Sequence, residues 1–253
     1  MPNISNISLV AFYGDKPPKL ITIIHKLQNY LCHHQLIRGQ FIPYKLEQVH
    51  GTIIGCEGFQ TEWGIVSKWL YEHKQKTEYI DIVGLVNYLQ HQTFLPLTIR
   101  IGGYDRALDY NFHSRGQHPY IRSFQLQPAE NKTIPVLIGW TWQGDRISLE
   151  LDNLRRSFER FNLLHKYHAD FEAIDNDFYL RLGTINNRLT PQQINTIATD
   201  IRKLLETDFI QISINKDNLA LVQYQDLSLT PETTKITPIA NISETIVSSY
   251  YNI

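Results

Sequence analysis

Methionine occurs once in this 253-residue chain and cysteine twice, at Cys32 and Cys56. Two cysteines cannot make the dense disulfide framework of a small secreted domain, and no C-x-x-C pair is present to bind a metal or exchange disulfides. An excess of charge of one sign is missing too: 24 basic residues face 25 acidic ones, for a net charge of -1. That balance gives no electrostatic reason for the whole protein to coat nucleic acid, so double-stranded DNA is not an expected partner and any phosphate site must be local. No uncharged apolar run reaches the roughly 18 to 20 residues of a membrane span. The N-terminus lacks a basic stretch followed by a long apolar one, so no signal peptide is expected. The Asn-x-Ser/Thr triplets at Asn3, Asn6, Asn131 and Asn241 read as chance, and the expected setting is cytoplasmic without a membrane partner. Walker loops, dinucleotide glycine patterns, His-Glu-x-x-His and Gly-x-Ser-x-Gly are all absent.

What is present is globular in character, 42% hydrophobic and 19% charged, and long enough for one large domain or two small lobes with a sizeable core. Residues 7–13 predict a strand closed by Gly14-Asp15 and Pro17-Pro18. From Lys19, the recurrence of Leu20, Ile23, Ile24, Leu27, Tyr30 and Leu31 predicts a helix to about His33-His34. Trp63, Val66, Trp69 and Leu70 are helically spaced and read as a core-facing stripe. Another helix is expected over 80–89, then strands over 96–104, 123–126 and 133–142. Residues 151–167 predict a long helix with the stripe Leu151, Leu154, Phe158, Phe161 and Leu164, its arginines on the other faces. A strand over 177–185 follows, then a helix opened by Thr190-Pro191. Two strands, 209–214 and 219–224, flank the turn Asn215-Lys216-Asp217-Asn218 and read as a hairpin. Residues 227–253 predict a loosely packed tail.

The chemistry concentrates in Gln48-Val49-His50-Gly51-Thr52-Ile53-Ile54-Gly55. On a strand, His50 and Thr52 share one face, while Val49, Gly51 and Ile53 take the other. A base and a hydroxyl side by side can move a proton and hold a phosphate oxygen; the plainer reading is a histidine hydrogen-bonded within the sheet. Residues 111–124 interleave His113, Arg115, His118 and Arg122 with Phe112, Tyr120 and Phe124, a composition suited to a nucleotide or single-stranded RNA, or to a solvated loop. Cys32-His33-His34 has zinc ligand types without a second cluster, so no metal is expected. His165 to His168 reads as a solvated helix end.

The element order has an echo. Tyr179-Leu180-Arg181-Leu182-Gly183 follows the long helix as His50 to Gly55 follows the first. This order, with the His50-x-Thr52 motif, resembles the two-histidine phosphoesterase superfamily, which includes cyclic phosphodiesterases and RNA-ligase-like proteins, over roughly residues 7–224. The resemblance implies an α+β fold of two pseudo-symmetric antiparallel lobes with helices outside and a central cleft (lobes roughly 45–145 and 146–226, the latter with the N-terminal strand and helix). It implies metal-independent chemistry with no cofactor, in which one histidine takes a proton, the other gives one, and two hydroxyl residues hold the phosphate. Only the first motif is kept here. Tyr179 stands where the second histidine belongs and Arg181 where the threonine belongs. The expected site is therefore His50, Thr52, Tyr179 and Arg181, with Arg115, His118, Tyr120 and Arg122 binding substrate and His118 as a stand-in second histidine. The expected ligand is a small phosphodiester, either an RNA end with a cyclic phosphate or a cyclic nucleotide. A turnover-deficient nucleotide-binding protein and a structural partner-binding protein are the alternatives.

Overall fold

A computed structural model describes residues 4–91 and 93–252. Its centre is a 12-stranded sheet in which the main path runs Ile210–Ile214, Leu97–Ile101, Lys132–Gln143, Phe178–Arg181, Gly51–Gly55, Ile7–Ala11, Leu219–Tyr224 and Thr234–Pro238. Every pairing along it is antiparallel. The fold is α+β, as the sequence implied. The sheet does not divide near residue 145, however. Gly51–Gly55 lies between Ile7–Ala11 and Phe178–Arg181, whereas Leu97–Ile101 and Lys132–Gln143 lie with Ile210–Ile214. The chain crosses from one half to the other several times.

Elements with strong local signals form where the pattern puts them. Pro18–His33 is a helix that buries Leu20, Ile23, Ile24, Leu27 and Leu31 on one face. Pro191–Thr207 starts on Thr190, whose hydroxyl accepts from Gln193 N while the Gln193 side chain accepts from Thr190 N. That reciprocal cap fixes the helix start. Ile82–Gln90 is capped by Asp81.

Four expectations are corrected. The helix predicted over 151–167 runs only Glu150–Ser157, with a 3-10 turn Phe158–Phe161 after it. Asn162 then takes a left-handed conformation (φ 59°) and donates its side-chain amide to Tyr79 O, and Leu163, Leu164, His165 and His168 turn inward while Lys166 and Tyr167 stay exposed. The tryptophan stripe does not exist. Gly58–Gln60 pairs with Ile65–Ser67, so Trp63 sits at a hairpin tip, 77% exposed, and Trp69 falls on the following helix Lys68–Lys74. The predicted 209–224 hairpin is not one either. Asn215 N donates to Asn218 Oδ1, and the turn so closed carries the chain across the sheet. Ile210–Ile214 therefore pairs with Leu97–Ile101, and Leu219–Tyr224 with Ile7–Ala11.

The last correction concerns the tail. Thr234–Pro238 completes the sheet edge, Ile239, Ile242 and Val247 are buried, and Tyr251 donates from its hydroxyl to Cys56 O at 2.7 Å. These apolar residues are irregularly spaced, so no helix or strand period announces them.

Candidate functional site

His50 ends the approach to Gly51–Gly55, and Leu180 is the register partner of Gly51. In an antiparallel pair this puts His50 and Thr52 on the same face as the residues flanking Leu180, namely Tyr179 and Arg181. All four line one cavity of about 480 Å³. The other face explains the glycine between His50 and Thr52. A Cβ on Gly51 would run into the Phe178 ring, so only glycine lets the two strands approach over that ring. Val49 and Ile53 are buried beside it.

His50 is half-buried, and its Nδ1 lies 2.5 Å from Gln48 O. A carbonyl can only accept, so Nδ1 carries the hydrogen and Nε2 keeps a lone pair. Burial, with Arg181 and Lys16 adding repulsion, brings the imidazole down to about 4. It is neutral at pH 7. The hydroxyl of Thr52 makes no hydrogen bond among the described residues. Tyr179 donates to Gln127 Oε1 at 2.5 Å, and its phenol is pushed up by burial. Arg181 gives one N–H to Leu227 O at 3.1 Å and, among the described residues, has no carboxylate within ion-pair distance.

Beneath this surface lies a buried ionic network. Arg155 donates to the carbonyls of Thr52, Ile53, Asp175 and Asp177 at 2.7–3.1 Å, so it ties the back of the motif strand to the segment leading into Phe178–Arg181. Burial lowers the pKa of this guanidinium, and Asp175, Asp177 and Asp152 counter it. Asp177 Oδ2 accepts two N–H groups of Arg122, from Nε at 3.1 Å and Nη2 at 2.8 Å, while its Oδ1 accepts from Ser114 Oγ at 2.6 Å and Trp140 Nε1 at 2.8 Å. Asp175 accepts from His165 Nε2 at 2.8 Å. Burial opposes ionisation of Asp175, but Arg155 and His165 outweigh it and hold the carboxyl well below its usual range. His165 is brought down to about 4 by burial and Arg155, against the pull of Asp175. Its neighbour His168 donates to Asp152 Oδ1. Both imidazoles are buried, not solvated at a helix end, because the chain turns inward at Asn162.

The cavity draws together Arg115 as well, which stacks on Tyr167 at 4.1 Å and lies 3.6 Å from Asp175. Arg115 holds a left-handed backbone (φ 50°), a strained conformation for a side-chain-bearing residue. His118, Tyr120 and Arg122 do not line it. His118 is bonded at Nε2 to Leu108 O and caps Tyr120 N, Tyr120 packs with the Trp140 cluster, and Arg122 is occupied by Asp177. Sequence reasoning missed Lys68, Trp69, Arg155, His165, Lys166, Asp175 and Asp177. One signal was available: Arg155 follows Leu151 by four residues and precedes Phe158 by three, which puts a charge on the apolar stripe.

The lining holds five cations (Lys68, Arg115, Arg155, Lys166 and Arg181) against three carboxylates (Glu57, Asp175 and Asp177). Low-dielectric walls focus such a field, so the cavity attracts anions although the chain is net negative. Among the described residues no group of three or more His, Cys, Asp or Glu side chains is placed to hold a metal ion, and no helix is long and apolar enough to cross a membrane.

No family model matches the chain, and no curated protein matches it. Among solved structures, the crystal structure of TT0787 of Thermus thermophilus overlays 92% of this chain and 93% of that one, at a TM-score of 0.43 and 11% identity. A likeness at that level carries no inference about family or activity.

Proposed function

We propose that the cavity binds a small phosphodiester, in the manner of a two-histidine phosphoesterase that has kept one of its two motifs. The ligand is an RNA end with a terminal cyclic phosphate or a cyclic nucleotide. The observation that carries the reading is the convergence of His50, Thr52 and Arg181 on one face of a cavity whose lining is net positive. In this reading the free Thr52 hydroxyl and the Arg181 guanidinium hold the non-bridging phosphate oxygens. His50 Nε2 accepts the proton of the attacking water. An imidazole at about 4 is a weak base; a bound phosphate anion beside it favours its protonated form and moves it back toward neutrality. Tyr179 is a poor acid for the leaving sugar oxygen, because its hydroxyl hydrogen is given to Gln127 and burial raises its pKa, so that oxygen takes its proton from water.

That same feature favours a second reading, in which ligand is bound without turnover. General acid–base assistance is worth ~10²–10⁴-fold in rate, so one missing partner is enough to make hydrolysis slow. A turnover screen against nucleoside 2′,3′-cyclic phosphates, 3′,5′-cyclic nucleotides and RNA ending in a cyclic phosphate separates the two. Hydrolysis lost in His50→Ala supports catalysis. Thermal stabilisation by ligand without product supports binding alone. If neither occurs, the phosphodiester reading fails.

A further inference from the structure

The cavity is larger than one phosphate group fills and, with Arg115 and Arg155 set against Asp175 and Asp177, the cations left without a carboxylate lie in two places. One is Arg181, beside His50 and Thr52. The other is a pair of lysines around one ring: Lys68 Nζ lies 4.3 Å and Lys166 Nζ 5.2 Å from the centre of Trp69. Both lysines line the same cavity. Neither ammonium has a carboxylate within 4.0 Å or a hydrogen bond among the described residues, so two like charges lie against one aromatic ring with no counter-ion. Such a pair repels itself unless an anion or water screens it; the ring offsets part of that cost.

Trp69 is fixed by Glu57, whose Oε2 accepts from Trp69 Nε1 at 2.8 Å, while Lys68 N donates to Glu57 O. Glu57 follows the far end of the strand that carries Thr52. Three residue steps from Thr52 to Gly55 cover roughly 10 Å along the strand, and Glu57, two residues further on, ties Lys68 and Trp69 to that end of the cavity. Glu57 lines the cavity as well, and its Oε1, which accepts nothing among the described residues, is free to take a sugar hydroxyl.

We infer that Lys68 and Lys166 form a second anion subsite, and that the ligand is a nucleotide carrying a second phosphate one sugar away from the reacting phosphodiester. This rests on the phosphodiester reading above. The subsite prefers a 5′-phosphorylated nucleotide cyclic phosphate, or an oligonucleotide end, to a simple cyclic mononucleotide.

The test compares adenosine 2′,3′-cyclic phosphate with its 5′-phosphorylated counterpart, by calorimetric affinity or, where the nucleotide is turned over, by KM. The 5′-phosphate is expected to tighten binding about tenfold or more, as charge-assisted contacts do. Lys68→Gln/Lys166→Gln removes that gain and weakens the unphosphorylated cyclic nucleotide far less than the 5′-phosphorylated one. Lys68→Arg/Lys166→Arg retains most of the gain, and Lys132→Gln/Lys203→Gln, outside the cavity, retains all of it. Equal binding of the two nucleotides, or a gain that survives the double glutamine variant, overturns the subsite alone. If neither nucleotide binds the native protein, the phosphodiester reading falls and takes the subsite with it.

Discussion

His50 and His165 line the same cavity, and each has one ring nitrogen fixed and a basicity lowered to about 4. The partners differ. His50 gives its Nδ1 hydrogen to the neutral carbonyl of Gln48, and the positive charges near it, Arg181 and Lys16, lie on one side of the balance only. An anion entering the cavity changes that balance directly. His165 gives its hydrogen to the carboxylate of Asp175, which is itself held by Arg155. Its charges are already matched, and its Nδ1 is buried without a partner among the described residues. On the phosphodiester reading the first histidine responds to a ligand; the second is part of the frame.

Arg155 is where that contrast breaks most severely. Arg155→Met strips donors from four carbonyls and leaves Asp175 short of its main cation, so a loss of about 3–5 kcal/mol is expected in urea unfolding. A loss under about 1 kcal/mol would mean that the network does not carry the frame.

Acid titration sharpens the comparison next. A histidine whose folded pKa is lowered from 6.5 to about 4 binds fewer protons folded than unfolded between those values. Its contribution is therefore intact above about pH 6.5 and is lost as pH falls toward 4, on the order of 2–3 kcal/mol for His50. Melting temperature should drop across this window. His50→Gln and His165→Gln should each flatten the drop, and saturating phosphodiester should shift only the His50 share. A profile flat from pH 7 to 4 in the native protein would contradict both assignments.

The smallest effect on stability belongs to the residue with the largest expected role. His50→Gln removes one hydrogen bond to Gln48, worth about 0.5–1.5 kcal/mol. Its unfolding midpoint at pH 7 should stay close to native while ligand-induced stabilisation falls. His165→Gln should do the reverse, lowering the midpoint more and affecting ligand less. Equal behaviour of the two variants would erase the distinction.

Much of the His50 side was legible in the sequence. Strand alternation is local, so it placed His50 and Thr52 on one face and Val49 and Ile53 on the other, and the echo at Tyr179 and Arg181 brought in the facing strand. The 111–124 segment was legible only in part. Its basic and aromatic residues were visible, but only Arg115 reaches the cavity, because Asp177 claims Arg122 and Leu108 claims His118. The His165 side was hidden. Nothing in residues 163–168 tells that the chain turns inward at Asn162, since the apolar stripe continues through Phe161 and Leu164 as though the helix did.

By itself the sequence determined those things that depend on neighbours along the chain: the face shared by His50 and Thr52, the helix Pro18–His33, and the cap at Thr190. Only the tertiary structure decided which distant groups complete the cleft, with Lys68, His165, Lys166 and Asp175 among them, and that the C-terminal segment closes the sheet edge. The reason is physical. Periodicity records which face a residue turns to the core, whereas charge pairing and strand order depend on groups far apart in the chain, whose meeting is fixed only when the sheet assembles.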